Sequence, residues 1–232
     1  IVLLEDDLGV APYFMTYAAR ALQYYASDSA IAGISLYHYT RTEHNQASFH
    51  PWPEAHDVYF MQLPSSWGLV LSAPQWRLFR AWLAERPADL SPLLPHYVRT
   101  WERESWKRLM FAWLRATGKY FVFPRYGLAT HFGDPGVHSV VPGIHQSPLD
   151  AIDRDWRFEA RDRALAVYDA DFEMAADRFA VLTGDSDNGK VTIDLYGQKR
   201  DFPTEKVWTS QAFSGDAIRS VEGGRLPQEL NL

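Results

Sequence analysis

The sequence predicts an α/β fold, and three observations carry that reading. The chain opens on an apolar strand that runs directly into acids, Ile1-Val2-Leu3-Leu4-Glu5-Asp6-Asp7-Leu8. A helical pattern follows. Pro12 suits a first helical position, and Phe14, Tyr17, Ala18, Ala21, Leu22 and Tyr25 recur at three- and four-residue steps. A second apolar run, Ile31 to Tyr37, then reads as a buried strand, with Gly33 where a neighbour can approach closely. Strand, acidic turn, helix and strand make a parallel crossover unit.

The later elements extend this pattern. Residues 38–64 carry scattered His, Pro and Asn without a period and read as a long loop over the sheet. Leu69-Val70-Leu71 is a short strand. Ser72 to Gln75 is a capping box with Pro74 in the first turn, opening a helix with Trp76, Phe79, Trp82 and Leu83 on one face. Pro87 to Pro95 is a Pro-rich connection. A third helix is predicted from Glu102 to Thr117, its apolar face made by Trp106, Leu109, Met110, Trp113 and Leu114, with Gly118 as the stop. Tyr120 to Phe123 is a strand closed by Pro124. Residues 125–150 hold four Gly, three Pro and three His (131, 138 and 145) and read as a mobile or ligand-ordered loop.

From residue 151 the chain becomes charged and less apolar. Phe172 to Leu182 reads as a helix, and Val191 to Leu195 and Lys206 to Thr209 as strands around Gly197. The predicted organisation is a catalytic part over 1–150 and a small α+β appendage over 151–232.

Composition narrows the function classes. At 232 residues with 47% hydrophobic content the chain has material for a sizeable core. Net charge is −6 and no Lys/Arg stripe exists, which argues against a nucleic-acid partner. With no Cys, disulfides and thiolate metal sites are excluded. No apolar stretch approaches the roughly 20 residues of a membrane helix. Aromatics reach 15%, with nine Trp. Most of these fill the core, but Trp and Tyr also make surfaces on which sugars stack.

The acidic triplet is the leading candidate for chemistry. Ligands in open α/β sheets bind beyond the carboxyl ends of strands, where Asp6 and Asp7 stand. An Asp at the mouth of a buried strand needs a cation or a dense set of donors. Hard divalent ions take carboxylate oxygens and share them with phosphate, so the triplet suits a metal-bound nucleoside diphosphate. It equally suits a solvated acidic turn.

Three ordered segments carry a family resemblance. The first is Leu4-Glu5-Asp6-Asp7-Leu8 with its helix and following strand. The second is Ser66-Trp67-Gly68-Leu69-Val70-Leu71 with Trp76. The third is Glu104-Ser105-Trp106-Lys107, followed by Phe132-Gly133-Asp134-Pro135-Gly136-Val137-His138. Over about residues 1–140 the chain resembles metal-dependent glycosyltransferases of the A-type fold. More closely, it resembles the N-acetylglucosaminyltransferase I family and its bacterial relatives. The resemblance implies a Rossmann-like mixed sheet flanked by helices. It implies inverting transfer of a sugar, N-acetylglucosamine among the candidates, from a nucleotide-sugar donor such as a UDP-sugar to a glycan or glycolipid acceptor. It also implies a cytoplasmic, bacterial protein working free or at the membrane surface.

The family pattern assigns residues as follows. Asp7 would ligate Mn2+ or Mg2+, Asp6 would bind the donor, and Glu5 would orient it or only brace the turn. The family's base lies in a Trp-Asp-Asp-Trp stretch, matched here by Arg103-Glu104-Ser105-Trp106. Glu104 therefore takes the base role, with Ser105 a departure from the pattern and Glu102 the nearest rival. Gly133 and Gly136 would face the diphosphate, with His138 or His131 reaching a phosphate or the metal. Trp67 and Gly68 would floor the sugar site, although Trp67 fits the core equally well.

The family builds its base pocket from a segment ahead of the acidic triplet. The resemblance therefore implies an upstream, N-terminal segment of the same polypeptide, of about 100 residues. Two other functions suit the residues. One is a non-catalytic glycan-binding or scaffold module derived from such an enzyme. The other is a phosphoryl-transfer or hydrolase domain using Asp6 and Asp7, for which Asp194 would be the further carboxylate.

Overall fold

The structure is a computed structural model that describes residues 1–132, 145–184, 190–212, 217, 220–221 and 223–231. It is a mixed α/β architecture built on a six-stranded sheet. Strand β1 (Val2–Leu3) is followed by a short strand β2 (Leu8–Val10), helix α1 (Phe14–Tyr24) and strand β3 (Ile31–Ser35). Then come β4 (Val58–Met61), β5 (Leu69–Val70), α2 (Ala73–Glu85), α3 (Trp106–Thr117), β6 (Tyr120–Pro124) and β7 (Ala129–His131). The chain closes with β8 (Val167–Tyr168), α4 (Ala176–Thr183), β9 (Val191–Asp194) and β10 (Lys206–Thr209).

The sheet order is β1-β5-β3-β6-β4-β8. β5 is antiparallel to both β1 and β3, so β1 and β3 run the same way with β5 between them. β6 is parallel to β3. The carboxyl ends of β1, β3 and β6 therefore share one edge, and the predicted crossover through α1 is present with a strand inserted into it.

Both faces of the sheet are covered. Along β4, Tyr59 and Met61 join the core under α2 and α3, while Val58 and Phe60 join the core under α1. Along β6, Phe121 and Phe123 face the first side and Val122 the second. Strands buried on both faces read as continuous apolar runs rather than alternations. That explains the main correction to the sequence reading. Val58–Met61, placed in a long loop, is a fully buried central strand. Gly33 meets its expected neighbour, since a Cβ there would lie 2.5 Å from the Phe121 ring and 2.8 Å from Leu71.

Helix boundaries shift where caps decide them. The Ser72–Gln75 capping box forms as predicted, with Pro74 in the first turn of α2. Gly118 ends α3 in the left-handed region at φ 64°. The start of α3 differs from expectation. The helix begins at Trp106, with Ser105 as N-cap, so Glu102 and Glu104 lie in the preceding turn rather than in the helix. α1 likewise starts at Phe14 instead of Pro12, because Ala11 is tied to Leu128 through its N–H and receives the Phe14 N–H in a turn. α4 starts at Ala176 rather than Phe172, whose backbone sits at φ 65°, outside helical space.

Residues beyond 150 contribute to the same sheet and core. β8 pairs in parallel with β4. Trp156 packs on Tyr17 of α1 with ring centroids 4.6 Å apart. β9 and β10 form a separate parallel pair, close to the predicted ranges. Among the described residues, no helix is long and apolar enough to cross a membrane.

Two predictions follow from packing and burial. Gly33→Ala should lower unfolding stability by roughly 1–3 kcal/mol in chemical denaturation, because the added methyl meets ring and branched carbons in a filled core.

The second concerns pH. Burial alone would raise the Glu54 carboxyl, but His56 and the backbone N–H groups of Leu165 and Ala166 outweigh it and hold it at about 2. Burial raises Glu229 to about 7. A carboxyl held low adds stability above its unfolded value and loses it as pH falls through its folded value; one held high costs stability that builds as pH rises from its unfolded to its folded value. Relative to wild type, Glu54→Gln should therefore be destabilised at neutral pH, with the gap closing between about pH 4.5 and 2. Glu229→Gln should match wild type near pH 4.5 and become the more stable protein as pH rises through about 7. Urea unfolding of each variant across that range checks both signs.

Candidate active site at the carboxyl edge of the sheet

The acidic triplet turns the chain from β1 into β2, with Leu8 N–H donating to Glu5 O at 3.3 Å. β2 and β7 form an antiparallel ribbon in which Leu8 pairs with His131, Gly9 with Thr130 and Val10 with Ala129. Phe132 N–H extends the ribbon by donating to Asp7 O at 3.1 Å. Both strands were expected to be turn or loop. Their pairing brings residues from the two ends of the first 132 together at the strand edge.

The consequence is a specific contact. His131 Nε2 lies 2.7 Å from Asp7 Oδ2. The other Asp7 oxygen, Oδ1, is buried and has no hydrogen-bond partner among the described residues. Unpartnered buried carboxylate oxygens are costly and call for an explanation such as an ion or ligand. Glu5 is exposed as a residue, yet its carboxyl is held above the ordinary range. Partial burial is the first cause and the Asp7 charge the second, with Lys107 and His131 working against them. Asp6 is exposed.

Trp67 forms the floor beside this pair. Its half-buried ring lies 5.8 Å from His131, 4.8 Å from His145 and 4.7 Å from Tyr37. Lys107 Nζ stands 5.3 Å from the Trp67 ring and 5.5 Å from that of Trp101, within cation–π range. Gly68 has a structural reason to be glycine. Its φ is 92°, and a Cβ would come within 2.9 Å of Leu36. The Gly68 carbonyl accepts from Leu36 N–H at 2.9 Å, which locks the Trp67 turn onto the end of β3.

A buried ion pair backs the aromatic floor. Lys107 Nζ is 2.6 Å from Glu43 Oε1, and the two side chains are only 11% and 8% exposed. Tyr39 O–H donates to the same Glu43 oxygen. Gln46, with backbone φ 60°, approaches His145 Nε2 at 3.5 Å, and Tyr37 O–H donates to the His145 carbonyl at 2.6 Å. Burial holds the His145 imidazole below its ordinary range.

Of the residues assigned from sequence, Glu5 and Asp7 come together with Trp67 and Gly68 at one edge, and Asp6 sits on the same turn. Glu104 is exposed in the turn before α3 and makes no hydrogen bond among the described residues. Lys107 is the side chain that α3 sends into the cluster. Gly133, Gly136 and His138 lie outside the described residues. Sequence reasoning gave Lys107, Glu43 and Gln46 no role. Lys107 carried a usable signal, since it stands three and seven residues before Met110 and Leu114 on the buried stripe of the helix. Glu43 and Gln46 sit in an aperiodic segment and carried none.

Among the described residues, no group of three or more His, Cys, Asp or Glu stands close enough to hold a metal ion. Asp7 and His131 form a pair of donors, with one carboxylate oxygen uncommitted. Mg2+ commonly takes one or two protein carboxylates and completes its shell with water and substrate phosphates, so the single Asp7 carboxylate meets the lower end of that mode. No family model matches the chain, and no curated protein matches its sequence.

The Lys107–Glu43 pair generates a direct test. Lys107→Met should destabilise the fold by about 3–5 kcal/mol, because it strands a buried carboxylate. Adding Glu43→Gln should recover most of that loss, and a double-mutant cycle by urea denaturation measures the coupling.

Proposed function

We propose that the chain is the catalytic part of an inverting, metal-dependent glycosyltransferase of the A-type fold. It would move a sugar from a nucleotide-sugar donor, a UDP-sugar in the first instance, to a glycan or glycolipid acceptor. The observation that carries this reading is the uncommitted, buried Asp7 oxygen beside His131 at the carboxyl ends of β1, β3 and β6. That is where open α/β sheets bind ligands.

Asp7 and His131 would hold Mn2+ or Mg2+. When bound there, the ion neutralises charge that gathers on the departing diphosphate. Glu5 and Asp6 orient the donor from the same turn. The Trp67 face takes a sugar ring by stacking, and Lys107 and Glu43 fix the edge of that face. Glu104, or Glu102 beside it, takes the proton from the acceptor hydroxyl. The acceptor oxygen bonds to the anomeric carbon as the carbon–phosphate oxygen bond breaks, which inverts the configuration.

A non-catalytic glycan-binding or scaffold module is the second reading. It draws support from the exposed position of Glu104 in the turn before α3.

The chain alone should bind donor poorly; joined to the upstream segment that the resemblance implies, and incubated with UDP-N-acetylglucosamine and manganese, it should release UDP. Asp7→Asn should cut the release at least about 100-fold and weaken manganese binding measured by electron paramagnetic resonance. Absence of both manganese binding and nucleoside diphosphate release across UDP-, GDP- and CDP-sugars would overturn the enzymatic reading. Retained glycan binding that is lost in Trp67→Ala would then favour the module.

A further inference from the structure

A cavity lies at the other end of the sheet from the acidic turn. β4 runs antiparallel to β6, and Met61 at its carboxyl end pairs with Phe121 near the start of β6. β8 runs parallel to β4. The residues that follow, Gln62 and Asp169, therefore lie at the edge opposite the acidic turn. With Tyr120 they line a cavity of about 550 Å³ that is also bounded by β9 and by residues 199–204. Its inner wall is apolar, from Met174, Val191 and Ile193.

The charges in this cavity are not fully matched to one another. Lys199 Nζ pairs with Asp169 at 2.6 Å, and Arg99 pairs with Asp201 at 3.0 Å. Asp171 forms no hydrogen-bonded pair among the described residues, although the Lys199 and Arg115 charges face it and favour its ionised form. Only 8% of the residue is exposed, it lines the cavity, and its carboxylate accepts no hydrogen bond among the described residues. Its own N–H donates to Asp169 Oδ1, which fixes the turn that presents it. Burial, and then the neighbouring Asp169 charge, raise this carboxyl to about 7. At the rim, Arg115 and Arg200 are exposed and form no ion pair among the described residues.

A carboxylate that opens into a cavity without a hydrogen-bond donor offers a seat for a cation of matching size. Guanidinium groups at a cavity mouth favour a planar or tetrahedral anion. We infer that this cavity is a binding site for a small zwitterion, its ammonium group seated on Asp171 and its anionic group held by Arg115 and Arg200. The site is separate from the acidic turn, and the inference does not rest on the sugar-transfer reading.

Phosphoethanolamine is a suitable probe, with ethanolamine and inorganic phosphate as its two halves. Titrated into the chain and followed by calorimetry, phosphoethanolamine should bind saturably. It should bind at least about tenfold more tightly than either half. Asp171→Asn, close to isosteric, should weaken it at least about tenfold, as should the surface change Arg115→Gln, which leaves the core untouched. The proposal is overturned if phosphoethanolamine shows no saturable binding, if it binds no better than its halves, or if binding survives unchanged in a folded Arg115→Gln variant.

Discussion

The register of a three-residue ribbon governs the candidate site. Leu8 faces His131 across β2 and β7, and that single pairing sets an imidazole against the Asp7 carboxylate. In a β-pair, a slip of one residue moves every side chain to the opposite face. Shifted that way, His131 would leave Asp7 and Thr130 would take its place. The ribbon is anchored at both ends, by Asp7 O receiving Phe132 N–H and by Ala11 N–H donating to Leu128 O. Thr130 adds a further tie, its hydroxyl accepting from Ser147 N–H at 2.9 Å. Asp7 is thus placed by backbone geometry contributed from far along the chain.

Electrostatics at this edge follow from the same placement. Asp7 meets His131 at one end of this surface, and Lys107 meets Glu43 at the other. The Lys107 ammonium serves two partners, the Glu43 carboxylate and the Trp67 ring. A cation shared in this way loses little freedom, because its stem is already packed on the buried stripe of α3. The indole is held in place by Lys107, Tyr37 and His145 around it.

Much of the framework was legible in the sequence, for identifiable reasons. The helices showed themselves because each has one apolar stripe, and α2 and α3 also carry a capping box and a terminal glycine. Strands β3, β5, β6, β9 and β10 were visible as apolar runs between breakers. β4 was hidden because Val58-Tyr59-Phe60-Met61 is buried on both faces and follows a segment rich in His and Pro. The ribbon was hidden because two three-residue strands have no period to read. For the site, Asp7 and Trp67 stood out by chemistry and neighbourhood. Glu43 did not, since only the fold carries its loop beneath the indole. The exposed position of Glu104 depends on α3 starting at Trp106, a boundary that side-chain spacing alone does not define.

The strand order has a consequence for how the molecule assembles. No two neighbours in the six-stranded sheet are consecutive along the chain. Val2 waits for Val70, Ile31 for Tyr120, and Phe60 for both Val122 and Val167. There is no hairpin in this sheet from which pairing could spread. Each contact closes a long loop before any energy returns, which makes for slow folding. During synthesis β4 stays unpaired until Tyr120–Pro124 has emerged, and its other edge stays open until the chain beyond Tyr168 has, which leaves apolar strand surface exposed to self-association in the meantime.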